Sequence, residues 1–370
     1  MHVNLIASEN FVSDDVMAAV GSCLTNKYAG GYPPMRKTGR CGRYYGGCEC
    51  VDDVEEFCCA VWKRAFDTDY HVNVQPHSGS NANLAAYMAV LEPGETILAP
   101  ELNLGGHLDF SSKVYNIEHY GFDENGYIDY DALEEKANKI RPRLIVAGSS
   151  SYGRIIDFER IANIASSVYA FFMVDMSHIA GLISSGVYPS PFGLADVITT
   201  TTHGILRGPR GGMIFCKPGW AKKVDNAVFP GAQGGPIMNI IAGKSVAGEE
   251  VCRPDYKKYI REVIHNSKSM AKEFKRLGYD IVTGGTDTHM FLLDLTNMKM
   301  SGKLAQETLE DHGIIVNKNM TPNDQRTPLW TSGIRIGTQA MTTMGYRALD
   351  FMNIADDIDE ILTQKSMNKS

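Results

Sequence analysis

Ala170-Phe171-Phe172-Met173-Val174-Asp175-Met176-Ser177-His178 sets an apolar run directly before a carboxylate, a hydroxyl and an imidazole. A short apolar run of this kind reads as a buried strand, and a strand without polar alternation belongs to a parallel sheet covered by helices. Working outward, similar runs at 96–99, 144–148, 197–201 and 212–216 alternate with helical patterns at 82–91, 130–139 and 158–167. That alternation predicts a doubly wound α/β fold with a mainly parallel sheet. Ligands of such sheets sit beyond the carboxyl ends of the strands, where Asp175 and His178 fall. A polar, helix-forming segment at 255–277 carries Lys257, Lys258, Arg261, Lys268, Lys272 and Lys275 on an exposed face. It leads into a second, smaller α/β domain.

The composition sets outer limits. With 370 residues, 44% hydrophobic and 21% charged, the chain has the material for a large core or for two domains, and disordered or fibrous readings are excluded. Acidic residues exceed basic ones, 43 against 36, for a net charge of −7, so no global basic field points to nucleic acid or an anionic membrane. No apolar run approaches the length of a spanning helix, and the opening Met1-His2-Val3-Asn4-Leu5 has no basic region followed by an apolar stretch. A cytoplasmic location is expected. Six of the eight cysteines precede residue 60, yet no CxxC pair and no histidine pair accompany them, so free thiols are expected and no metal. Glycine is abundant, with 36 residues, many of them paired: Gly46-Gly47, Gly105-Gly106, Gly211-Gly212, Gly234-Gly235 and Gly284-Gly285. Such pairs mark places where the backbone approaches something closely.

Three features ask for a ligand. His77-Ser78-Gly79-Ser80-Asn81-Ala82-Asn83 puts hydroxyls and glycine at the start of a helix, the arrangement that cradles a phosphate. Asp175 ends its strand either as a structural cap or as the counter-ion of a cationic group. Thr199-Thr200-Thr201-Thr202-His203-Gly204-Ile205-Leu206-Arg207-Gly208-Pro209-Arg210-Gly211-Gly212 gathers hydroxyls, a histidine, arginines and glycines in one loop, more than a turn requires.

These motifs, together with Leu5-Ile6-Ala7-Ser8-Glu9-Asn10, Arg43-Tyr44-Tyr45-Gly46-Gly47-Cys48-Glu49, Val228-Phe229-Pro230-Gly231-Ala232-Gln233-Gly234-Gly235-Pro236 and Thr331-Ser332-Gly333-Ile334-Arg335-Ile336-Gly337-Thr338, run in order along nearly the whole chain. In them the chain resembles the serine hydroxymethyltransferases, pyridoxal 5′-phosphate (PLP) enzymes of fold type I. The resemblance implies a mainly parallel seven-stranded sheet in a large domain at 31–254, after an N-terminal segment at 1–30, and a small α/β domain at 255–370. It also implies a homodimer with shared active sites. By resemblance Ser78, Gly79 and Ser80 hold the cofactor phosphate, and Gly234 and Gly235 complete that cradle from the partner subunit. Asp175 pairs with the pyridinium nitrogen, His107 stacks on the ring, and Ser150, His178, Thr201 and His203 line the cofactor pocket. Arg335, with Ser8, Tyr28 and Tyr45, receives a small amino acid or an anionic substrate that carries one.

The resemblance also shows departures. The family's Schiff-base lysine follows the histidine of its TTTTH motif, and Gly204 stands there. The glutamate of its tyrosine-alanine-glutamate motif is replaced by Gly30 in Tyr28-Ala29-Gly30. An insertion between Pro33 and Arg43 carries Arg36, Lys37 and Arg40, and the loop after Leu108 is shorter than in the family, although Leu102, Leu108 and Asn319 match its folate-contacting positions. Met344 stands where the family has an arginine. The leading expectation is therefore non-covalent PLP and chemistry at Cα of glycine, serine or a related substrate without ordinary folate turnover. His203 is the candidate acid–base group, with His107, Asp175 and Tyr45 as the other catalytic positions. Two alternatives stand beside it: a near-ordinary hydroxymethyltransferase using tetrahydrofolate with slow turnover, and a non-catalytic or regulatory subunit of a lysine-bearing homologue.

Overall fold

The computed structural model describes residues 2–34, 42–101, 105, 110–322 and 324–367. Thirteen strands occur among them: β1 (Val3–Asn4), β2 (His71–Asn73), β3 (Thr96–Pro100), β4 (Asn116–Tyr120), β5 (Leu144–Ala147), β6 (Phe171–Asp175), β7 (Val197–Thr201), β8 (Gly212–Cys216), β9 (Asp280–Ile281), β10 (Met290–Asp294), β11 (Ile314–Ile315), β12 (Asn317–Asn319) and β13 (Gly333–Gly337).

Seven of them form the central sheet in the order β2-β8-β7-β6-β5-β3-β4. The pairs from β4 through β7 are parallel, and β8 runs antiparallel to both β7 and β2. The expected mainly parallel seven-stranded sheet is thus present. Its middle strands are the apolar runs of the sequence: every residue of β5 is buried, as are Phe172, Met173 and Val174 of β6. Register places Asp175 beside Thr199 and Val174 beside Ala147, so the polar residues that end these strands share one edge of the sheet.

The covering helices follow from periodicity and caps. Phe158–Ser167 buries Phe158, Ile161, Ile164 and Ala165 at helical spacing, and Asp157 caps it by accepting from Arg160 N at 2.9 Å. Pro254–Arg276 starts with Pro254 in its first turn, where a missing N–H costs nothing. It buries Tyr256, Ile260, Val263, Met270 and Phe274 and leaves the six expected basic residues exposed. Sequence reading passed over the long helices Glu49–Phe66, Met238–Val251 and Ala348–Met367; in the first of them the buried Val51, Glu55, Cys58, Trp62 and Phe66 recur every three to four residues. The cysteines of that first helix are packing groups in part: burial pushes the Cys58 thiol up to about 12.

The second sheet, order β12-β13-β10-β9, is antiparallel. Met270, Phe274, Phe291, Leu293, Ile334, Ile336, Phe351 and Ile358 form its core, and Leu5 from the start of the chain joins them. Burying each such side chain is worth ~1.5–3 kcal/mol. β1 extends the union by pairing in parallel with β11, Val3 opposite Ile314. This pairing, with Gly337 N of β13 donating to Leu5 O at 2.8 Å, stitches the first residues to the C-terminal part of the chain and carries residues 5–10 across to the loop after β7. No helix among the described residues is long and apolar enough to cross a membrane.

Candidate active site

Ser78 caps the helix Gly79–Val90 with extended backbone, its Oγ accepting from Asn81 N at 3.2 Å and donating to Asn81 Oδ1 at 2.8 Å. The first-turn N–H groups of this helix have no intrahelical partner and, with the helix dipole, favour an anion. Side chains are excluded from the cradle by contact: a Cβ on Gly79 would lie 2.7 Å from Thr201 Cγ2, and one on Gly212 would lie 2.2 Å from Ser78 O. Ser80 is exposed on the same turn.

From the cradle a hydrogen-bonded chain leads to Asp175. Thr201 N donates to Ser177 Oγ at 3.1 Å, and Ser177 Oγ donates to Asp175 Oδ1 at 2.6 Å. Ser177 N also reaches Oδ1, at 3.0 Å, while Asn83 Nδ2 donates to Oδ2 at 2.9 Å. Thr199 Oγ1 in turn donates to Asn83 Oδ1 at 2.6 Å, so the carboxylate is fixed from β6, β7 and the Gly79–Val90 helix at once. Asp175 and His178 share a cavity wall with Asn83, Gly105, Ser149 and Ser150.

Arg335 lies on β13 behind that wall. Its Nη1 donates to Ser150 O and its Nε to Asn317 Oδ1 at 3.1 Å. No carboxylate among the described residues pairs with it, and burial alone pulls its guanidinium down to about 10. A buried guanidinium whose protein partners are all neutral keeps a charge suited to an anionic ligand.

His178 stacks on His289, ring centroids 5.8 Å apart and planes inclined by 14°. His289 is fully buried: Nε2 reaches Ala7 O at 3.2 Å and Nδ1 has no partner. Burial lowers it to about 4 from 6.5, because a desolvated imidazolium is costly. The unfolded chain therefore takes up a proton that the folded chain refuses, and stability falls as pH drops from about 6.5 to about 4, by roughly 3 kcal/mol at most. We predict that His289→Gln, which keeps a donor for Ala7 O, flattens that acid limb in denaturation curves recorded across this range. An unchanged limb would assign the loss to other groups.

His203 has a buried Nδ1 without a partner. Burial first, and then the charge of Arg210, lower it to about 4. It is thus a neutral imidazole at neutral pH and a weak base, ill suited both to taking up a proton and to holding one for donation, which counts against the acid–base role expected of it. The next residue, Gly204, sits at φ +62° and opens a short turn. A Cβ there would lie 3.2 Å from Ser8 O, and Asn10 Nδ2 donates to Gly204 O at 3.0 Å. The N-terminal segment thereby covers the position with backbone.

Tyr28 and Tyr45 form an edge-to-face pair with centroids 5.0 Å apart, both about half exposed. Gly30 lies beneath them, its would-be Cβ 3.4 Å from Tyr28 Cε1 and 3.5 Å from Tyr45 Cε2, ordinary contacts that a side chain tolerates. Gly235 N donates to Tyr28 Oη at 3.3 Å, and Gly235 O lies 3.3 Å from His77 Nε2. Within one chain the Gly234-Gly235 pair therefore flanks the residue before the cradle. His107, Arg36, Lys37, Arg40, Leu102 and Leu108 lie outside the described residues.

Asn83, Ser177, Asn317, His289 and Lys244 were not singled out from sequence. Asn83 falls four residues past Gly79 inside the quoted motif, so helical spacing offered a signal for it. Lys244 offered another, as the lone cation of the apolar stretch Ile240-Ile241-Ala242-Gly243-Lys244-Ser245-Val246-Ala247.

A family profile described as serine hydroxymethyltransferase matches residues 1–358. The chain is also similar to the serine hydroxymethyltransferase of Dichelobacter nodosus (strain VCS1703A), 52% identical over 369 residues, which is 98% of this chain and 87% of that protein. The ordered motifs, the sheet and the relatives agree: this chain belongs to the serine hydroxymethyltransferase family, PLP-dependent transferases of fold type I.

Proposed function

We propose that the protein is a near-ordinary serine/glycine hydroxymethyltransferase that uses tetrahydrofolate and holds PLP by non-covalent contacts alone, with slowed turnover. The observation that carries the substrate class is Arg335, a buried guanidinium with only neutral protein partners, suited to an amino acid's carboxylate. Similarity over nearly the whole chain favours folate-dependent transfer over the first expectation that it is given up.

The residues present suit PLP. Ser78, Gly79 and Ser80 would take its phosphate at the helix N-terminus, and Asp175, anchored by Asn83 and Ser177, would hold a proton on the pyridine nitrogen. When bound, PLP supplies an electron sink for the bonds at Cα of an amino acid. The chain's own work is to bind and to orient. Arg335 fixes the carboxylate, Ser150 O and Asn317 fix Arg335, and His203 lines the site as a neutral imidazole. Tyr28 and Tyr45 would close the site, and membership of the family supports a homodimer.

The finer claim, non-covalent cofactor, rests on Gly204. It offers no amine where the family resemblance places the Schiff-base lysine, and Gly30 offers no carboxylate between the tyrosines. Purified protein with PLP, serine and tetrahydrofolate tests the reading: slow glycine formation that requires all three is expected. Spectral change with serine or glycine but no folate-dependent product would favour chemistry at Cα without one-carbon transfer, and no change with either would leave a non-catalytic subunit.

A further inference from the structure

Lys244, in the helix Met238–Val251, is completely buried, and its ammonium is spent entirely on backbone. Nζ donates to Val74 O at 2.7 Å, Gly212 O at 2.8 Å and Pro76 O at 3.1 Å. Three acceptors require three N–H donors, so the geometry selects the charged form; a neutral amine would turn its lone pair toward a carbonyl. That charge has no ion-pair partner among the described residues. Glu55, a carboxylate whose charge acts on Lys244, is committed to Arg43 and Gln75, at 2.7 and 2.8 Å, and burial pushes the neighbouring Cys58 and Cys59 thiols up, so they stay neutral. Desolvation pulls the ammonium down to about 8, a cost that the fold tolerates at this place.

The three carbonyls belong to the two segments that make the cradle. Val74 and Pro76 lead from β2 into Ser78, and Gly212 starts β8, with its N–H donating to Pro76 O at 3.0 Å and its backbone so close to Ser78 that an added Cβ would lie 2.2 Å from Ser78 O. Gly211 is kept open for the lysine stem: a Cβ there would lie 2.5 Å from Lys244 Cε. We infer that Lys244 is a positioning residue for the phosphate cradle: its buried ammonium clamps the backbone at 74–76 and 212 so that the N–H groups after Ser78 face one point, and it supplies positive potential to a phosphate monoester bound there. The inference rests on the PLP reading and adds to it a cation that never touches the ligand.

Titrating the full chain with PLP and with pyridoxal, which lacks the phosphate, isolates this role. For Lys244→Met, which fills the same space, PLP affinity is expected to fall roughly tenfold or more, with pyridoxal affinity unchanged and inorganic phosphate no longer competing. Equal PLP affinity in variant and parent would overturn the inference, as would equal losses for PLP and pyridoxal in a folded variant. If Lys244→Met does not fold, Gly211→Ala, which displaces the stem while keeping the charge, must show the same phosphate-selective loss; without it the inference falls. If the parent protein itself fails to prefer PLP to pyridoxal, the cofactor reading is what has failed, and the clamp fails with it.

Discussion

Arg335→Ala is expected to weaken glycine binding about a thousandfold while leaving PLP affinity nearly unchanged. The size follows from the surroundings. The guanidinium is buried, its other partners are the neutral Ser150 O and Asn317 Oδ1, and no acid among the described residues shares it. Its removal would strand a carboxylate in a desolvated cavity, the situation in which losing one partner of a buried pair costs several kcal/mol. Arg335→Lys keeps the charge but loses the planar fork and the contact from Nε, so an intermediate loss is expected. Calorimetric titration of the PLP-loaded protein with glycine measures both. A loss under tenfold for the alanine variant would mean that another group holds the carboxylate.

Gly204→Lys is expected to raise serine turnover by ~10²-fold or more, because it returns an amine that exchanges with the substrate and moves protons beside His203. It is also expected to lower stability by ~1 kcal/mol: φ at 204 is +62°, a region costly for any residue with a Cβ, and the new Cβ would press to 3.2 Å from Ser8 O. Gly204→Ala separates the two effects, since it carries the same backbone cost without the amine. Thermal melts and steady-state rates of both variants decide the matter. A lysine variant no faster than the alanine variant would contradict the assignment of position 204. Position 30 behaves differently, because a side chain there meets only ordinary contacts with Tyr28 and Tyr45.

These contrasts mark what sequence can and cannot carry. β5 and β6 were legible because burial on both faces removes polar alternation, leaving runs such as Phe172-Met173-Val174 that end abruptly in Asp175. β4 was not, since Asn116–Tyr120 lies at the sheet edge and alternates exposure, and β2 is only three residues long. The Glu49–Phe66 helix was masked by its cysteines, which drew attention to thiol spacing rather than to the three-to-four period that buries Cys58 with Trp62. Ser78 and Asp175 stood out because each is a polar residue at an element boundary. Lys244 and Arg335 owe their environments to contacts across the fold, with carbonyls from 74, 76 and 212 in one case and 150 in the other, which no local pattern encodes. Gly204 was visible as a missing side chain, while its left-handed backbone and its cover by residues 8–10 emerged only in three dimensions.

The central claim is that a member of this family holds PLP without a covalent bond to its chain. Reduction of the PLP-loaded protein with borohydride, followed by denaturation and intact-mass measurement, tests it most directly. The account predicts that the chain retains its unmodified mass and that all cofactor is released, while Gly204→Lys gains one cofactor per chain. Stoichiometric attachment of PLP to a lysine of the unaltered chain would contradict it.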